Sequence, residues 1–159
     1  MNKKIIALLL VVALATASVF ATGLGVMSSS QTGAAALTYA PSKTGFYYGL
    51  GWGAHGIGIS AEKPFVTGTF FDADLFSLGY RVGAGINAHV NFINGFDFGV
   101  GVFGFAGLNF NFDFQAFELE LFGQWQPNFG IHVVPFDIIT HNTVLSILSG
   151  YASGIRFWF

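Results

Sequence analysis

From Phe76 to Phe92 every even position is apolar: Phe76, Leu78, Tyr80, Val82, Ala84, Ile86, Ala88, Val90 and Phe92. The odd positions are small or polar: Ser77, Gly79, Arg81, Gly83, Gly85, Asn87, His89 and Asn91. Successive side chains of a strand point to opposite faces, so this period of two predicts one apolar face and one polar or small one, whereas a helix would scatter Arg81 and His89 around its girdle. Asn94-Gly95 is a tight-hairpin signal. Alternation resumes beyond it, with Phe96, Phe98, Val100 and Val102 against Asp97, Gly99 and Gly101. The pair predicts a long β-hairpin.

The same pattern predicts a strand from Phe46 to Ile59, a turn at Ser60-Ala61-Glu62-Lys63, a strand from Pro64 to Phe71 and a turn at Asp72-Ala73-Asp74. Phe117, Leu119, Leu121 and Trp125 alternate with Glu118, Glu120, Phe122 and Gln124, before a turn at Gln126-Pro127-Asn128. Phe129, Ile131 and Val133 continue, and His141-Asn142-Thr143 turns the chain into a last strand. With Thr22 to Ser28 as the first segment, followed by a long loop from Ser29 to Lys43, the reading gives eight strands. The apolar parity changes near Gly53 to Gly56, which predicts a bulge, and again near Gln115-Ala116, which predicts a loop or bulge. Pro135 lacks an amide donor and predicts a bulge or strand end.

Composition sharpens this picture. Of 159 residues 53% are hydrophobic and only 9% charged, against roughly 25% charged in an ordinary soluble domain. That is too little charge to wet a surface of this size, including that of a secreted soluble barrel. There is no cysteine, which excludes a disulfide scaffold. The formal charge of −2 gives no basic footprint for nucleic acid.

Asn2-Lys3-Lys4, the apolar run Ile5 to Ala15 and the compact Val19-Phe20-Ala21 read as a cleaved secretory signal peptide over residues 1–21. Its removal takes away Lys3 and Lys4 and moves the charge from −2 to −4. Beyond it, glycine or a polar residue interrupts every apolar run, so no helical span is predicted. A bilayer accepts only helices or closed barrels. The expected fold is therefore all-β: an antiparallel transmembrane β-barrel of about eight strands over residues 22–159.

The final strand, Tyr151-Ala152-Ser153-Gly154-Ile155-Arg156-Phe157-Trp158-Phe159, puts Tyr151, Ile155, Phe157 and Phe159 on one face. This resembles the C-terminal assembly signal of bacterial outer-membrane barrels, with Ser153 as a small departure. The resemblance implies an outer-membrane location, with outer-membrane lipids, periplasmic chaperones and the barrel assembly machinery as partners. The whole chain is similar in pattern to the small OmpX, OmpW and opacity-type barrels, with shorter outer loops that disfavour an adhesin role. A monomer is expected.

The inward row holds Arg81, Asn87, His89, Asp97, Glu118, Glu120, Gln124, His132 and Arg156. Enclosed charges must pair, so Arg81 and Arg156 are expected to meet Glu118, Glu120 or Asp97. Inward glycines at Gly49, Gly51, Gly53, Gly79, Gly83, Gly85, Gly99 and Gly101 leave volume, which Phe103, Phe105, Phe122, Phe136 and Trp158 either fill or line as an apolar tunnel, like that proposed for OmpW-type relatives. An aromatic belt is expected from Phe92 and Phe96, from Trp125 and Phe129, and from Phe157 and Phe159, all at the level of periplasmic turns.

His55, His89, His132 and His141 show no metal-binding spacing, and the nearest nucleophile and base pairing, His141 with Ser146 or Thr143, is better read as hydrogen bonding. The Gly49-Leu50-Gly51-Trp52-Gly53 run begins no helix, so it is no dinucleotide site. No catalytic residue, metal or cofactor is expected. The expected function is that of a structural or surface barrel with a largely plugged lumen. A narrow channel for small or hydrophobic solutes is the alternative, and a lipid-modifying enzyme stands far behind it.

Overall fold

The computed structural model describes residues 22–53, 56–92, 96–134, 137–140 and 148–159. The leader expected at 1–21, His55, the turn expected at Asn94-Gly95, Pro135, Phe136 and the 141–147 segment with His141, Thr143 and Ser146 lie outside them. The strands are β1 (Gly23–Ser29), β2 (Gly33–Ala40), β3 (Tyr47–Trp52), β4 (Gly56–Ala73), β5 (Phe76–Asn91), β6 (Asp97–Asp113), β7 (Glu118–Trp125), β8 (Asn128–Val134), β9 (Asp137–Thr140) and β10 (Tyr151–Trp158). Every pairing is antiparallel, and β1-β2-β3-β4-β5-β6-β7-β10 closes on itself through β1 and β10. The protein is an eight-stranded antiparallel β-barrel.

The remaining two strands belong to passes already counted. β7 and β8 keep one register along β6, with Ala106 opposite Trp125 and Phe103 opposite Asn128. They form one pass, interrupted where Pro127 has no amide to give; its carbonyl still accepts from the Gly104 amide at 3.0 Å. β9 pairs with β8 as β10 pairs with β7. Thr22, the first described residue, and Phe159 lie at one end, where they exchange two backbone hydrogen bonds of 3.2 Å.

Closure also fixes the slant of the strands. From Val26 the outward row passes through Ile155 and Leu121 to Phe110 on β6 in one direction. In the other it passes through Leu37, Leu50, Ile59 and Ala88 to Val100, also on β6. The two paths meet β6 ten residues apart. A stagger of that size over eight strands corresponds to a tilt of roughly 35–45°, with an interior that side chains can fill.

Several turns differ from the sequence reading. Residues 33–40 form β2 rather than part of a long loop. The bulge expected at 53–56 is the β3–β4 turn, closed by the Gly53 amide on the Gly56 carbonyl at 3.0 Å, and the turn expected at 60–63 is continuous strand. Gln126-Pro127 breaks a strand without reversing it. The parity change at 115–116 is a true turn: Gln115 takes φ 65°, and the Asp113 carboxylate accepts its amide at 2.8 Å.

Inward packing follows a rule of complementary sizes between β5 and β6. Gly79 faces Asn109, Arg81 faces Gly107, Gly83 faces Phe105, Gly85 faces Phe103, Asn87 faces Gly101 and His89 faces Gly99. Each glycine makes room for the large side chain opposite it. A Cβ on Gly83 would lie 2.6 Å from the Phe105 ring, and one on Gly85 2.5 Å from that of Phe103. Gly83→Val should therefore displace the ring and destabilise the barrel by about 1–3 kcal/mol in a urea titration, the usual cost of overpacking. Unchanged stability would show that the ring has room to move.

Candidate functional site: the polar ladder in the lumen

The molecule is inverted relative to a water-soluble domain. Among the described residues, the buried polar and charged side chains outnumber the buried hydrophobic ones. Outside, Val26, Leu37, Leu50, Ile59, Val82, Ile86, Val102, Leu108 and Ile155 are exposed. The outward rows of the described strands carry one charge, Lys63, which lies over the Phe46 ring and donates to the Thr44 carbonyl at 2.8 Å.

The centre of the interior is Glu120. It is the register partner of Arg156, so β7 and β10 bring the two side chains together directly. Glu120 Oε2 accepts from Arg156 Nη1 at 2.8 Å and from Trp158 Nε1 at 2.8 Å, while Oε1 accepts from Arg81 Nη1 at 3.0 Å. Arg156 is 0% exposed and Glu120 3%. Arg156 Nη2 reaches the Thr38 hydroxyl on β2 at 3.0 Å. That path crosses Gly25, which lies between Arg156 and Thr38 in the register; a Cβ there would sit 2.7 Å from the Arg156 Cα.

Both guanidinium groups lie against the same two rings. Arg81 is 5.0 Å from the Tyr47 centroid and 4.8 Å from that of Phe122, and Arg156 is 4.5 and 4.7 Å from them. Such contacts are worth about 0.5–2 kcal/mol each when desolvated. They place the arginines where Phe122 fills the lumen.

Amides carry the network toward the other end. Arg81 Nε donates to Gln124 Oε1 at 3.2 Å, and Gln124 Nε2 donates to Glu62 Oε2 at 2.8 Å. Gln126 Nε2 donates to the same oxygen at 3.3 Å and its Oε1 accepts from Ser29 at 3.1 Å. Asn87 donates to Gln31 Oε1 at 2.6 Å. Two arginines and two glutamates balance in charge, and every strand of the ring but β6 supplies a member, while β6 supplies the buried rings of Phe103 and Phe105.

The structure divides the charge set read from the sequence. Arg81, Glu120 and Arg156 form one cluster. Glu118 lies instead at the mouth beside Thr22 and Phe159, paired with Lys43, and Asp97 lies at the opposite end, where it accepts from Asn91 at 3.2 Å. Each is the first residue of its strand, Asp97 of β6 and Glu118 of β7, and because consecutive strands are antiparallel the two stand at opposite ends of the barrel. Glu62, Gln126, Gln31, Thr38 and Tyr47 were missed because they fall in a supposed turn or loop or at its border. The alternation of Ile57, Ile59 and Ala61 against Ser60 and Glu62 was the signal that could have found Glu62.

Tyr151, Ile155, Phe157 and Phe159 all lie exposed on one side of the last strand. The aromatic residues do not share one level. Phe157 and Phe159 lie at the end with Thr22, whereas Phe92 and Phe96 flank the β5–β6 connection at the other end, their ring centroids 6.5 Å apart. Trp125 and Phe129 flank the interruption within one pass, with Trp125 Nε1 donating to the Leu148 carbonyl at 2.6 Å. The extra strand β2 reverses the direction of every later strand up to that interruption, which moves the β5–β6 connection to the far end.

His89 lies against Gly99, and His132 stands opposite Gly99 in the β6–β8 register. Among the described residues no group of three or more His, Cys, Asp or Glu side chains could hold a metal ion. No protein-family model, no curated protein and no solved structure matches this chain, so the fold and its interior carry the functional reading.

Proposed function

We propose that this protein is an integral membrane β-barrel of the bacterial outer-membrane kind, whose lumen is closed by the Arg81–Glu120–Arg156 ladder and which acts as a structural or surface barrel. The supporting observation is the inversion itself: a buried, charge-balanced and hydrogen-bonded cluster inside, and outward rows of exposed aliphatic and aromatic side chains that, among the described strands, carry one charge, Lys63. In water such a surface would associate; in lipid it is the stable arrangement, because outward-facing apolar residues solvate in acyl chains while β1 and β10 pair to close the sheet on itself. Lys63 fits this reading by carrying its ammonium toward the rim, where it meets backbone carbonyl. Partnership with the barrel assembly machinery, periplasmic chaperones and outer-membrane lipids belongs to the same proposal, as does the absence of a catalytic step.

The closed lumen gives a direct test. The refolded chain is expected to float with liposomes and resist carbonate extraction, and to give no stepwise current in a planar bilayer. Recovery in the soluble fraction would overturn the membrane reading. Reproducible conductance steps from membrane-inserted protein would overturn the plug and favour a narrow channel.

A further inference from the structure

Above the ladder, at the end that carries Thr22 and Phe159, the barrel holds a chamber of about 410 Å³. It exists because the strands end at different heights. The last β3–β4 pair is Tyr47 with Glu62, whereas β4 goes on pairing with β5 as far as Ala73 with Phe76. The upper edge of β4 therefore has no strand beside it, and the 41–46 connection crosses the gap. Lys63 holds that connection by the Thr44 carbonyl, and Lys43 holds it by an ion pair with Glu118 on the far wall.

The chamber shares Arg81 and Glu120 with the ladder below it. Its ionised groups are Lys43 and Arg81 against Glu118 and Glu120, so they sum to zero and favour neither an anion nor a cation. Two buried atoms at its border have no hydrogen-bond partner among the described residues: Arg81 Nη2, a donor, and Glu118 Oε1, an acceptor. Arg81 itself is 4% exposed. On the wall, Asn109 Nδ2 donates to Asn111 Oδ1 at 3.3 Å and Asn111 Nδ2 donates to Ser77 at 3.2 Å. A chain of that direction leaves the Asn109 carbonyl oxygen to accept and the Ser77 hydroxyl to donate.

Donors and acceptors are thus both present in the wall of a neutral chamber whose size lies within the roughly 300–1,000 Å³ of small-molecule sites. An apolar occupant would strand those polar atoms, and an anion would face two carboxylates. A hydroxyl group both donates and accepts, and several on one small skeleton satisfy such a wall. We infer that this chamber binds a small neutral polyhydroxylated molecule of monosaccharide size. The inference needs only the barrel and not its location in a membrane.

The test uses the full folded chain in a detergent without a sugar headgroup, with saturation-transfer NMR and calorimetry. The probes are glucose and N-acetylglucosamine, with succinate and 1-hexanol as the anionic and apolar comparisons. At least one sugar is expected to bind and to outcompete both comparison molecules. Asn111→Leu and Thr69→Val, which alter the chamber wall and touch no ladder contact, should each weaken binding by up to about ten-fold, the worth of one hydrogen bond. Phe157→Leu, on the outer face, should leave it unchanged. Failure of both sugars to bind folded protein, stronger binding of succinate or hexanol, or sugar binding indifferent to both wall substitutions would each overturn the inference.

Discussion

Glu120→Ala is expected to be among the most destabilising single substitutions in this barrel. In the folded protein the carboxylate receives Arg81, Arg156 and the Trp158 indole, all with little access to water. Truncation leaves two like charges against the same pair of rings, and the nearby Glu62 is already engaged by Gln124 and Gln126. Breaking one buried ion pair by removing a partner costs about 3–5 kcal/mol, and here one carboxylate serves two cations, so the loss should fall at or above the upper end. With a urea slope near 2 kcal/mol/M, that is a midpoint shift of roughly 2 M. Urea titration followed by the heat-dependent gel mobility of the folded barrel measures it.

Two further variants separate the lost pairing from lost volume. Glu120→Gln keeps the shape and one acceptor oxygen, and should cost less than alanine. Replacing the whole balanced set together, Glu62→Gln, Arg81→Met, Glu120→Leu and Arg156→Met, leaves no buried charge unpaired and should recover much of the loss, because apolar replacements of whole buried clusters are often neutral or better. A Glu120→Ala barrel within about 0.5 kcal/mol of the parent would show that water reaches the cluster and that the lumen is not closed at this level.

The second large effect is on the outside. Leu37 is 52% exposed and stands in the outward row between Val26 and Leu50. For a barrel in lipid, Leu37→Arg should lose about 2–4 kcal/mol, the cost of arginine near the bilayer midplane. For a barrel in water the same substitution should change stability by no more than about 0.5 kcal/mol. Gln115→Arg, in the exposed β6–β7 turn, serves as the control and should be neutral in either setting. Unfolding measured in lipid vesicles decides between them, and a neutral Leu37→Arg would sink the membrane reading without touching the fold.

Period-two alternation was strong enough to place β5, β6, β7 and β10, and with them Arg81, Glu120 and Arg156 on the inner face. It was weak where both faces carry small residues. Gly33 to Ala40 reads Gly-Ala-Ala-Ala-Leu-Thr-Tyr-Ala, and its inward members Ala36, Thr38 and Ala40 differ too little from the outward alanines to announce a strand. The missing β2 was offset by the spurious reversal at Gln126-Pro127, so the count of eight stood although the ends of the intervening strands were exchanged. Proline and asparagine there signal a turn only if the partner strand stops, and β6 continues straight past them.

The sequence by itself determined the class of fold and the two faces of its longest strands, because side-chain direction in a strand depends only on position parity. It determined also that the inside would hold the charges. Only the closed structure decided which charge meets which, since pairing across a tilted barrel depends on the stagger between strands far apart in the chain. That stagger brings Arg81, from β5, and Arg156, from β10, to one carboxylate on β7, sends Glu118 to Lys43 at the mouth, and leaves Asp97 at the other end. It also lets β4 outrun β3, and so creates the polar chamber that no local pattern in the chain foretells.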